Sequence, residues 1–158
     1  NKTSLFDGAA VLAQSVAATN SCHATELVAL IHPGVQMARL KLRALGYQLA
    51  EFDLPLNASQ IDDKYMRMNI DDTGCCGSSE LLKLRAYQLL KYHFVLLLDI
   101  DAMLRRNIDH LFWRAAERSF SAMFTWDIAM GRLVQGGFLL LAPSTKVYET
   151  LLTIIMHG

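Results

Sequence analysis

The stretch Phe94-Val95-Leu96-Leu97-Leu98-Asp99-Ile100-Asp101 constrains this chain most. An unbroken apolar run of strand length ends abruptly in two carboxylates two residues apart. If the strand continues to Asp101, period-2 alternation sends Asp99 and Asp101 to the same side, where both reach one cation. The run reads as a buried strand of a parallel sheet that delivers two acids to the sheet's carboxyl edge, the place where open α/β sheets bind ligands. The plainer alternative is a pair of solvated acids at a strand end.

The flanking pattern supports an α/β sheet. From Gly8 to Ala18 small and apolar residues recur at helical spacing. Glu26 to Ile31 reads as a short buried strand closed by His32-Pro33-Gly34. Val35 to Leu45 is an amphipathic helix with Gly46 at C′, and Tyr47 to Leu54 alternates as a strand up to Pro55. Helix, strand, helix, strand in this order predicts right-handed parallel units, the first strand of which is expected upstream of Asn1. Residues 55–78 are polar and read as a long functional or mobile connection. Glu80 to Tyr92 is the clearest helix, with Glu80 favourably placed in its first turn. After the Asp-x-Asp strand, Asn107-Ile108-Asp109 starts a short helix. Ser119 to Thr125 reads as a strand with Trp126-Asp127 at its end, and Trp126 is assigned to packing. Gly136 and Gly137 read as a bend before a strand from Phe138 to Ala142. Thr145 to His157 is a final amphipathic helix.

Composition narrows the function classes. Fifteen basic and fifteen acidic residues cancel, which removes any electrostatic case for nucleic acid. The 53% apolar and 19% charged fractions suit a sheet covered on both faces, and 158 residues suffice for one domain with a core. No run reaches the length of a membrane span, and the start has no signal-peptide pattern. Adjacent Cys75 and Cys76 form no disulfide framework, and Cys22 reads as a small buried hydrophobe. The sequons Asn1-Lys2-Thr3 and Asn57-Ala58-Ser59 lean towards a secretory lumen, with the cytoplasm as the alternative. His23, His32, His93, His110 and His157 lack ligand spacing. Tyr87 and Tyr92 read as helix-face residues.

Two aspartates at a strand end suit Mg²⁺ or Mn²⁺, hard cations that also bind substrate phosphates. A cation held this way neutralises a leaving diphosphate. A haloacid-dehalogenase-type phosphatase also opens with Asp-x-Asp, but near its amino terminus and with Thr or Val two residues on; here Ala102-Met103 follow in mid-chain.

Four ordered blocks carry a resemblance. They are Leu82-Lys83-Leu84-Arg85-Ala86-Tyr87-Gln88-Leu89, the Val95–Asp101 run, Asn107-Ile108-Asp109-His110-Leu111-Phe112, and Val134-Gln135-Gly136-Gly137-Phe138 with Ala142-Pro143-Ser144. Together with the Gly8-Ala9 helix they resemble the family 8 glycosyltransferases, the glycogenin-like group. Cys75-Cys76-Gly77-x-x-Glu80-Leu81 and Gln135-Gly136-Gly137-Phe138 are most similar to the plant and algal branch, which includes glucuronosyltransferase-like members.

The resemblance implies a single partial domain of GT-A fold over residues 1–158, a Rossmann-like, mostly parallel sheet with flanking helices, truncated at both ends. It implies a UDP-sugar donor, bound Mn²⁺ (or Mg²⁺) and retention at the anomeric carbon, with a carbohydrate, glycolipid or protein as acceptor. It makes Asp99 and Asp101 the metal pair and Lys83 a donor contact; Asp99 also faces the ribose or sugar. Asp127 and Gln135 become the polar contacts to the transferred sugar. Gln135 and Gly136 stand where glycogenins have asparagine and serine. A Golgi setting and a homodimer belong to the same set of expectations. A Gln-Gly motif and a metal-binding histidine are expected beyond Gly158, so the third ligand and part of the acceptor site fall outside this chain, and the fragment is expected to turn over poorly. A non-catalytic domain that keeps the fold for binding is the rival expectation.

Overall fold

A computed structural model describes residues 2–19, 25–72, 76–120, 122–127 and 132–158, with the backbone alone described for 2–5, 71, 72, 127 and 132–135. Asn1 of the first sequon, Cys22, His23 and Cys75 lie outside the described residues. The elements in chain order are α1 (Lys2–Ala18), β1 (Val28–Ile31), α2 (Ala38–Ala44) and β2 (Gln48–Glu51), then a 3-10 turn (Ala58–Gln60), α3 (Lys64–Asp72) and a 3-10 helix (Gly77–Gln88). They continue with β3 (Val95–Leu98), α4 (Asp109–Arg118), β4 (Ala122–Asp127), β5 (Arg132–Leu141) and α5 (Thr145–His157).

The chain is mixed α/β, but its described strands form two small sheets. β1 and β2 pair in parallel, Val28 with Gln48 through Ile31 with Glu51. β3, β5 and β4 form an antiparallel sheet in that order. The expectation of one mostly parallel sheet is therefore corrected. An all-apolar strand such as Val95–Leu98 fits either orientation, and here it pairs antiparallel with Leu141–Phe138. The strand is half-buried along its length and stops at Leu98. The amide of Ala102 donates to the Asp99 carbonyl at 3.0 Å, so the chain turns at Asp99 and the expected continuation to Asp101 does not occur.

Three further expectations change. Within 55–78, Lys64–Asp72 is helical: Met66 and Ile70, four apart, pack against buried Ile61 and Leu81. The expected α-helix from Glu80 to Tyr92 is a 3-10 helix from Gly77 to Gln88. Its apolar residues Leu81, Leu84 and Tyr87 recur every third residue, and a three-residue turn stacks them in one row against the two neighbouring cores. Tyr92 accordingly lies beyond that helix. Trp126 is 61% exposed and does not pack in the core.

Gly136 and Gly137 lie inside β5 rather than before it. Phe124 of β4 pairs with Leu139, but the next residue, Thr125, pairs with Gln135. Gly136, Gly137 and Phe138 are thus skipped by β4, while the other edge of β5 keeps Leu98 opposite Phe138. This is a bulge, for which residues without Cβ are suited.

Local chemistry sets the helix ends. Gly46 follows α2 at φ +89°, the left-handed conformation that closes helices. The Ser144 hydroxyl accepts from the Val147 amide at 3.3 Å and caps α5, behind Pro143. The Asn107 side chain accepts from the Asp109 amide at 2.8 Å at the start of α4.

Among the described residues, three clusters form the core. Ala9 of α1 packs with Ile31, Leu42 and Tyr47, and the Tyr47 hydroxyl donates to the Ala9 carbonyl at 2.9 Å. Ala86, Tyr87, Leu141 and Tyr148 join the 3-10 helix, β5 and α5, while Leu56, Ile61 and Leu81 anchor the segment before α3. Arg85 ties these layers together: its Nε donates to the Asp53 carbonyl at 2.9 Å, and its guanidinium lies over the rings of Phe52 and Tyr148.

α1 approaches the end of β3 closely. A Cβ on Gly8 would stand 2.6 Å from the Ile100 carbonyl oxygen, which is backbone and has no side-chain freedom to yield. Gly8→Ala is therefore expected to destabilise the fold by about 1–3 kcal/mol even though alanine favours helices. Urea unfolding of the variant checks this; a midpoint equal to or above that of the natural protein refutes the contact.

Candidate functional site

The end of β3 opens on a cavity of about 460 Å³. Asp99 and Asp101 both line it, with Arg105, Arg106, Gly137 and Phe138 among the other walls. Each group arrives for a local reason. The turn after Leu98 places the two acids at the strand's carboxyl end, and the segment leading to α4 brings the adjacent arginines back over them. The Asp99 amide donates to the Gly137 carbonyl at 3.1 Å, which fastens the turn to the β5 bulge. Bulges are frequent beside functional sites because they re-aim the chain there.

Lys83 reaches the site from the 3-10 helix. Its ammonium stands 2.6 Å from Asp99 Oδ1 and 2.6 Å from Glu80 Oε2, so one cation bridges two carboxylates. Burial pulls the Lys83 pKa down, but the hydrogen bonds its ammonium donates to Asp99 and Glu80, with their negative charges, outweigh it and the net displacement is upward. A lysine displaced upward on folding contributes stability that is fully present below its unfolded value and is lost as pH rises through the folded one. Replacing Lys83→Met should cost about 1 kcal/mol near pH 7, after allowance for solvent screening of these part-exposed groups. The deficit relative to the natural protein should vanish on the alkaline side of the lysine range. Unfolding followed from pH 7 to pH 12 tests this; a deficit constant across that interval contradicts the ion-pair origin.

The expected site residues separate into groups. Asp99 and Asp101 converge on one cavity, and Lys83 contacts the first of them. Gly136 is exposed with open space about its Cα; its neighbour Gly137 forms the cavity wall. Asp127 ends β4 opposite Arg132, and Gln135 lies opposite Thr125 at the edge of the bulge. The side chains of Asp127 and Gln135 lie outside the described residues. Sequence reasoning passed over Arg105 and Arg106, an exposed basic pair that carries no local signal separating it from ordinary surface. It also read Glu80 as a dipole partner and as part of the Cys75–Leu81 block, whereas Glu80 binds Lys83.

As a cation site the arrangement offers two oxygen donors. Asp99 Oδ1 is already engaged by Lys83, which leaves Oδ2 and the Asp101 carboxylate. Among the described residues, no three His, Cys, Asp or Glu side chains are grouped to hold a metal. Two hard carboxylate donors still fit a divalent cation of the Mg²⁺ type, which commonly takes one or two protein carboxylates and completes its shell with phosphate oxygens and water.

No family model matches this chain, and no curated protein matches it.

Proposed function

We propose that this chain is the core of a metal-dependent retaining glycosyltransferase of GT-A architecture, which moves a hexose or uronic acid from a UDP-sugar to an acceptor hydroxyl. The observation that carries the reading is the convergence of Asp99, Asp101, Arg105 and Arg106 on one cavity at the carboxyl end of β3. Paired acids beside paired guanidinium groups are complementary to a cation–diphosphate unit: the acids take the cation, and the arginines meet phosphate oxygens. Lys83 fixes the orientation of Asp99 through Oδ1. When bound, Mn²⁺ or Mg²⁺ supplies neutralisation of the charge that develops on the departing diphosphate. Asp127 and Gln135 orient the transferred sugar from the β4–β5 ladder, and Gly136 allows the chain to approach it.

The acceptor is a carbohydrate, a glycolipid or a protein hydroxyl. Asn57 of the second sequon is exposed, in keeping with a Golgi or other secretory setting. No helix among the described residues is long and apolar enough to cross a membrane.

Calorimetric titration of the full-length protein with UDP, with and without Mn²⁺, tests the reading, and hydrolysis of a UDP-sugar donor follows turnover. Mn²⁺-dependent UDP binding with donor hydrolysis is the expected result. UDP binding without turnover would favour a non-catalytic binding domain, and the absence of metal-dependent nucleotide binding would overturn the reading.

A further inference from the structure

Lys83 is shared between two acids. Its ammonium lies 2.6 Å from Asp99 Oδ1 and 2.6 Å from Glu80 Oε2, yet Asp99 belongs to the proposed cation pair and Glu80 does not. The 3-10 winding of Gly77–Gln88 accounts for the sharing. At three residues per turn the side chains of residues i and i+3 eclipse, so Glu80 and Lys83 stand in one row. In an α-helix they would be rotated apart by about 60°.

Residues of β1 and β3 line an apolar groove of about 900 Å³, and Glu80, Lys83 and Asp99 stand at its wall as well. Asp99 also lines the smaller cavity with Asp101, Arg105 and Arg106. Glu80 and Lys83 are absent from that cavity's described walls. Lys83 therefore holds Asp99 from the groove side, and Oδ2 is left for a cation beside Asp101.

A lysine in this place both helps and opposes a cation. It orients Asp99, but its charge repels a divalent ion and its hydrogen bond competes for the same carboxylate. The Lys83 and Asp99 side chains are only 31% and 37% exposed, so solvent weakens this opposition without removing it. A lysine bound to Asp99 alone would neutralise it and leave Asp101 as the one net negative charge of the pair. Glu80 draws on the same ammonium from the other side. It takes up the lysine's charge and shares its hydrogen bonds, and Asp99 keeps negative charge for the ion.

We propose that Glu80 is a positioning residue for the cation site: by sharing Lys83 with Asp99 it lets the lysine orient that carboxylate without withdrawing it from the metal. The inference rests on the proposed reading of Asp99 and Asp101 as cation ligands, and Glu80 acts on the ion through Lys83.

Titration of the full-length protein with Mn²⁺ alone at pH 7, with free Mn²⁺ followed by its paramagnetic resonance signal, tests the proposal. The isosteric Glu80→Gln should bind Mn²⁺ about tenfold more weakly than the natural protein, the scale of one unit charge acting on a divalent ion across several Å of solvated protein. Lys83→Met should bind it at least about threefold more tightly, because the competitor is gone. In the Lys83→Met background, Glu80→Gln should change the affinity by less than about threefold, since no lysine remains to be shared. An unchanged affinity in Glu80→Gln, weaker binding in Lys83→Met, or a Glu80→Gln loss equally large in both backgrounds would overturn the role of Glu80 and leave the metal site standing. No binding of Mn²⁺ alone by the natural protein would overturn this inference, and no binding with UDP present would overturn the metal reading as well.

Discussion

Replacing Asp99→Ala or Asp101→Ala is expected to lower metal-dependent turnover of a UDP-sugar by roughly 100-fold or more, the scale of the several kcal/mol that a bound cation contributes to charge stabilisation. The two carboxylates line one cavity at the end of β3, and loss of either would halve the protein's share of the proposed ligand set. Asp99 differs from Asp101 in a measurable respect. Its removal also leaves Lys83 with Glu80 as its remaining carboxylate partner of the two, so Asp99→Ala should change the alkaline unfolding profile and Asp101→Ala should not. The double variant should be scarcely worse than either single one, because residues that hold one cation act as a unit. Initial rates at saturating Mn²⁺ check the prediction. Variants that retain natural turnover while remaining folded would remove both acids from the mechanism.

Leu141→Ala is expected to destabilise the protein by about 2–5 kcal/mol, the range for truncating a large aliphatic side chain in a packed core. Leu141 is 1% exposed and lies in one cluster with Ala86, Tyr87 and Tyr148. It is also the residue of β5 opposite both Val95 and Ala122, so its contacts span the full width of the antiparallel sheet. A cavity there cannot close by movement of one strand without disturbing the other two. Denaturant unfolding measures the loss, and a change below about 1 kcal/mol would show that the cluster repacks.

The parts of the fold that were legible in the sequence are those whose partners are near in the chain. The final helix was readable to the residue, since Pro143-Ser144 marks its start and apolar spacing carries it to His157. The parallel β1–β2 unit followed from the alternation of helix and strand, with Gly46 marking the turn between. Long-range pairing was not legible. Val95–Leu98 carries no alternation to reveal its orientation, and its partner Phe138–Leu141 lies some forty residues away, so the antiparallel pairing left no local trace. The 3-10 helix was hidden because Leu81, Leu84 and Tyr87 at every third residue satisfy an α-helical reading almost as well. At the site, the Asp-x-Asp pair was visible as a break in hydropathy. Arg105 and Arg106 were not singled out, because an exposed basic pair in a loop has no pattern that separates it from ordinary surface.

The bulge at Gly136–Phe138 divides the antiparallel sheet into two ladders with different registers. Asp99 is fastened to the first, which runs from Leu98–Phe138 to Val95–Leu141. Asp127 and Gln135 stand beyond the bulge, in 125–127 and 132–135, where the register shifts once more between Thr125 and Asp127. On β5 the two halves are joined through residues that β4 leaves unpaired, and on β4 directly through Phe124 and Thr125. The outer half therefore keeps a register of its own, separate from the pairing that holds Asp99. Substitutions that resize the outer half, in 125–127 or 132–135, would then leave the geometry at Asp99 intact, so that such a sheet can change the ligand it encloses without rebuilding the part that holds charge.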